Sequence, residues 1–101
     1  MSYGIALLGA GRIGQVHARA VSANARAILV GVTDAMQPAA EALATEHNCT
    51  VNSSDHWINS TDVQGVIIAT PTDTHADLIE QCVRAGKAVF CEKPIDLDAA
   101  R

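Results

Sequence analysis

An apolar run, Ile5-Ala6-Leu7-Leu8, breaks at Gly9-Ala10-Gly11-Arg12-Ile13-Gly14, and a helical pattern follows at once. No other feature of the chain constrains its fold as strongly. Each glycine has its own physical reason to stand in such a turn. Gly9 permits the tight change of direction, Gly11 leaves no side chain to hold a diphosphate off the backbone, and Gly14 lets helix and strand approach closely. The phosphates would then meet free amides at a helix N-terminus. Asp34 closes the next apolar run, twenty positions beyond Gly14. That is near the spacing at which a carboxylate accepts hydrogen bonds from an adenosine ribose. An acid there favours NAD over NADP, whose 2'-phosphate it would repel. Arg12 and Ile13 belong to the same turn, with Arg12 placed either on the diphosphate or over the adenine.

The rest of the chain continues the alternation. Strand-like runs at 4–8, 27–33, 49–51, 65–69 and 88–91 are separated by helical segments, which predicts consecutive βαβ units on a parallel sheet. The runs at 66–69 and 88–91 lack polar alternation, as expected of strands covered on both faces. Ile13, Val16, Ala20 and Val21 share one helical face, and His17 on that face reads as a hydrogen-bonded packing residue. Pro38 suits the first turn of the next helix. Asp55 is expected to cap a short helix carrying Trp57 and Ile58, and Asp73 or Thr74 a longer one ending at Arg84 before Gly86. His47 and His56 read as solvated residues in polar connections. The expected fold is a doubly wound α/β Rossmann sheet of about five strands, order 3-2-1-4-5, with residues 1–101 as one dinucleotide-binding domain.

Composition narrows the partners. A chain of 101 residues with 49% hydrophobic and 18% charged residues describes a globular protein with one core. A formal charge of -4 offers no electrostatic case for nucleic acid or an anionic membrane. The first residues, Met1-Ser2-Tyr3-Gly4, lack the pattern of a signal peptide, so a cytoplasmic location is expected. Cys49, Cys82 and Cys91 are odd in number and without C-x-x-C spacing. They read as buried free thiols rather than as a disulfide framework or metal site.

In an open parallel sheet, ligands bind beyond the carboxyl ends of the strands. Three segments are expected at that edge: the glycine turn, Thr70-Pro71-Thr72-Asp73-Thr74-His75 after the fourth strand, and Glu92-Lys93-Pro94 after the fifth. In this order and spacing they resemble the Gfo/Idh/MocA family of NAD(P)-dependent sugar and polyol oxidoreductases. The segments 9–17, 71–77 and 90–97 are most similar to family members that oxidise myo-inositol to its 2-keto form. The resemblance implies that Gly9, Gly11, Arg12, Ile13, Gly14, Asp34, Thr70, Pro71, Thr72, His75, Glu92 and Lys93 hold NAD. It also implies that Lys93 is catalytic, facing the substrate oxygen and placed to help move its proton. A lysine suits that position because the hydroxyl must lose its proton as hydride leaves, and a lysine can help move that proton and stabilise the charge left on the oxygen.

The resemblance further implies a two-domain, homo-oligomeric subunit whose C-terminal substrate domain is absent here. The isolated chain is then expected to bind cofactor and turn over poorly, and to expose the edge of strand 88–91 to pairing with another chain. Two other readings stay open on these residues. One is a non-catalytic dinucleotide sensor or binding module. The other is a family oxidoreductase acting on another sugar, a carbonyl or an imine.

Overall fold

A computed structural model describes residues 3–70 and 75–91. The apolar runs become strands β1 (Tyr3–Leu8), β2 (Ala27–Thr33), β3 (Thr50–Val51), β4 (Gly65–Ile68) and β5 (Ala88–Cys91). Between them lie helices α1 (Arg12–Ser22), α2 (Gln37–His47), α3 (Ser54–Ile58) and α4 (His75–Arg84). All strand pairs are parallel and the order is β3-β2-β1-β4-β5, as the alternation predicts.

Strand side chains alternate between faces, so one strand feeds two cores. Leu7 of β1 joins Ala18, Val21, Val32, Ala40 and Leu43 under α1 and α2. Ala6 and Leu8 join Trp57, Ile58, Val63, Ile68 and Cys82 under α3 and α4. The register aligns Leu8 with Thr33 and Ile68, and Ile68 with Cys91. Four strands therefore end at one level, the edge from which the predicted ligand loops leave.

Several expectations are corrected. The buried residues of α1 are Gly14, Ala18 and Val21, while Ile13 and Val16 are exposed. Close approach at Gly14 turns the small-residue side of the helix onto the sheet and its larger residues outward. Ser53, not Asp55, caps α3, its Oγ accepting the His56 N–H at 3.1 Å. Asp55 falls inside the first turn. β5 is covered on one face only among the described residues: Val89 packs into the α3/α4 core while Phe90 is 62% exposed. The core under α1 and α2 extends to Ile67 of β4 and contains no residue of β5.

Neither His47 nor His56 lies in a connection. His47 ends α2 with its side chain 9% exposed, Nδ1 lying 2.8 Å from the Ser22 Oγ of α1. His56 is exposed within α3, its ring edge-on to Trp57 at 4.7 Å. The expected caps Asp73 and Thr74 lie outside the described residues. Of the thiols, Cys82 is buried and Cys49 and Cys91 are half-buried.

Candidate functional site

The glycine turn forms because the β1 ladder ends one residue after the strand, at Gly9, and the helix begins three residues later, at Arg12. The Gly9 N–H donates to the Thr33 carbonyl at 2.7 Å, and the first bond of α1 runs from the Gln15 N–H to the Gly11 carbonyl at 2.9 Å. Gly9 has φ +113°, a conformation that side chains resist, and a Cβ there would also collide with the Ala69 carbonyl. At Gly14 a Cβ would run into the Gly9 carbonyl oxygen. Gly11, by contrast, caps α1 without a side chain, and a Cβ placed on it meets nothing within 4 Å. The tight turn expected at Gly9 and the close approach expected at Gly14 are thus observed.

α1 has no acid in its first turn and no side-chain hydrogen bond at its N-cap. The positive end of the helix lies beside Gly11, where a Cβ would meet nothing within 4 Å. Arg12 and Ile13 are exposed there. Asp34 stands at the end of β2, half-buried. Its Oδ2 accepts the Ala10 N–H at 2.5 Å and its Oδ1 the Met36 N–H at 2.8 Å.

A cleft of about 540 Å³ opens beside this carboxylate. Leu8, Thr33, Asp34 and Ala35 line it from the ends of β1 and β2, Thr70 from the end of β4, Ser53 and Ser54 from α3, and Asp77, Leu78 and Gln81 from α4. The side-chain-free approach at Gly11, the helix N-terminus and the adjoining carboxylate fit a dinucleotide: diphosphate on the turn, ribose at Asp34, base in the cleft.

Gly9, Gly11, Arg12, Ile13, Gly14, Asp34 and Thr70 are therefore brought to one edge of the sheet. His75 is the first residue of α4, but its side chain, together with Pro71, Thr72, Glu92 and Lys93, lies outside the described residues. Glu92 and Lys93 directly follow Cys91, the last residue of β5. Reading motifs missed Ser53, Ser54, Asp77 and Gln81. The available signal was topological, because whatever follows a parallel strand emerges on the same edge. Among the described residues no group of His, Cys, Asp and Glu is arranged for a metal ion, and no helix is long and apolar enough to cross a membrane.

Known proteins share this arrangement. Residues 3–101 match the Gfo/Idh/MocA group, described as an oxidoreductase family with an NAD-binding Rossmann fold. The chain is 60% identical over 101 residues to inositol 2-dehydrogenase of Rhizobium meliloti (strain 1021), covering all of this chain and 31% of that protein. Its fold superposes on a myo-inositol dehydrogenase from Corynebacterium glutamicum at TM-score 0.87 and 42% identity, covering 99% of this chain and 30% of that one. It also superposes on scyllo-inositol dehydrogenase from Lactobacillus casei, solved with bound NAD(H) and scyllo-inositol, at TM-score 0.85 and 29% identity. That match covers 99% of this chain and 30% of the other. The chain thus spans about 30% of the length of these relatives.

Proposed function

The chain belongs to the Gfo/Idh/MocA oxidoreductase family, as its NAD-binding Rossmann fold, and on that footing we propose that it supplies the cofactor site of an inositol 2-dehydrogenase. The full-length protein is then a cytoplasmic homo-oligomer that oxidises myo-inositol to its 2-keto form. One observation carries the cofactor half of this reading: an approach free of side chains at Gly11 beside a carboxylate at the end of β2. The substrate half rests on the inositol dehydrogenases to which the chain is similar.

NAD held on the Gly9–Gly14 turn and at Asp34 would supply the acceptor for the hydride of the substrate carbon. The residues of this chain divide the remaining work. Gly9, Gly11 and Gly14 shape the turn, and the amides at the start of α1 neutralise the diphosphate. Asp34 accepts the ribose hydroxyls and disfavours a 2'-phosphate. The segment Thr70-Pro71-Thr72 with His75, and Glu92, flank the cofactor. Lys93 meets the substrate oxygen, where as the free amine it takes the hydroxyl proton while hydride leaves the carbon, and the ammonium so formed stabilises the partial negative charge on that oxygen.

The test is reduction of NAD by myo-inositol with the full-length protein, alongside NAD binding to this chain. Turnover abolished by Lys93→Ala, with NAD binding retained, supports the dehydrogenase. Tight NAD binding without turnover of any polyol replaces it with a dinucleotide-binding module.

A further inference from the structure

We infer that Asp34 is a positioning residue for the diphosphate turn, in addition to its proposed role at the ribose. The inference rests on the diphosphate reading of that turn. Ala10 lies between two glycines, is 2% exposed, and falls in the gap where the backbone has left the β1 ladder at Gly9 and has not yet entered α1. Its N–H has neither a strand nor a helix to bond to, and a buried amide without a partner is costly. The Asp34 Oδ2, at 2.5 Å, is that partner.

The second carboxylate oxygen is held by the Met36 N–H at the N-cap of α2, at 2.8 Å. The side chain is therefore anchored and does not swing freely toward the turn. Bonds to an ionised acceptor are stronger than neutral ones. Together with the Gly9 N–H bond to the Thr33 carbonyl, they tie a glycine-rich segment, otherwise prone to many conformations, to the end of β2.

The two roles of Asp34 make opposite predictions for an anion that has no ribose. A carboxylate beside a diphosphate site repels the ligand, so a residue acting only on the ribose should hinder inorganic pyrophosphate, and its removal should tighten binding. A residue that holds the turn in shape should do the reverse, because the amides lose their common aim.

The experiment titrates the chain with inorganic pyrophosphate and, separately, NAD, and follows the backbone amides by nitrogen–proton NMR in wild type, Asp34→Ala and Asp34→Asn. The Ala10 amide proton is expected far downfield in wild type and shifted upfield in both variants, with faster solvent exchange across residues 9–14. Pyrophosphate affinity is expected to fall roughly tenfold in Asp34→Ala, the equivalent of one charge-assisted bond, and less in Asp34→Asn, which keeps one acceptor. Pyrophosphate binding that is unchanged or tighter in Asp34→Ala while NAD binding weakens overturns the inference, as does an Ala10 amide indifferent to Asp34. If wild type binds neither pyrophosphate nor NAD, the diphosphate reading fails. The positioning of the turn is then judged by the Ala10 shift and exchange alone. Should Asp34→Ala not fold, Asp34→Asn provides the same comparison.

Discussion

The indole of Trp57 occupies the space that a Cβ on Gly31 would need, and its Nε1–H donates to the Val32 carbonyl at 3.1 Å. A large aromatic from the short α3 is thereby set against the backbone of β2, three residues before Asp34. Trp57 is 4% exposed and has nowhere to go. Gly31→Ala is expected to cost about 3 kcal/mol, the upper part of the range for overpacked interiors. Trp57→Phe removes the ring atoms that collide, so the two substitutions should not add. Urea unfolding of the four members of the double-mutant cycle measures this, and strict additivity would show that the contact is unimportant.

Gly11 and Gly14 should separate binding from folding. Gly11→Ala meets open space, so stability should change by less than about 1 kcal/mol. NAD affinity should nevertheless fall by roughly tenfold or more, because the methyl takes the position of the diphosphate. Gly14→Ala gains helix propensity yet collides with the Gly9 carbonyl, for a net loss of about 2 kcal/mol. Thermal unfolding and NAD titration of both variants check the contrast. Equal loss of stability in the two would refute it.

The carboxylate of Asp34 should also set cofactor choice. Wild type is expected to bind NAD at least about tenfold more tightly than NADP, since the 2'-phosphate would come close to an anchored negative charge. Asp34→Ser should narrow that ratio chiefly by weakening NAD. Calorimetric titration with both cofactors decides it, and a ratio that does not move assigns the preference to another residue.

Burial raises the thiols of both Cys49 and Cys82 above their ordinary value of 9.0; at Cys82 the nearby Lys87 ammonium partly offsets the rise. A folded pKa above the unfolded one means that the native state holds its proton longer. The associated stability is present in full below the unfolded value and is lost as pH climbs above about 9 toward the raised one. Urea midpoints measured from neutral to alkaline pH should fall in wild type, and less steeply in Cys49→Ala/Cys82→Ala. Parallel profiles would mean the thiols contribute nothing to the slope.

The strand order and the ligand edge were legible in the sequence because they rest on short-range patterns. Apolar runs of strand length, separated by helical segments, leave a parallel sheet as the economical arrangement, and a glycine turn followed by Asp34 marks the edge at which a dinucleotide is proposed to bind. The order β3-β2-β1-β4-β5 follows.

What only the tertiary structure decided concerns pairs distant in the chain. Ile13 and Val16 satisfy the helical period yet face outward, because a side chain at position 14 would strike the Gly9 carbonyl and the small side of α1 must take the sheet. His47 looks like a polar loop residue until α1 brings Ser22 to its ring. Gly31 is an unremarked strand residue until Trp57 packs on it. Asp34 follows the same rule. Its spacing from Gly14 predicts a carboxylate at the ribose, whereas its bond to Ala10, across 24 positions of sequence, exists only once β1 and β2 lie side by side. Periodicity and spacing describe what a residue can do along its own segment. Which backbone group it meets across the sheet is set by register and close packing.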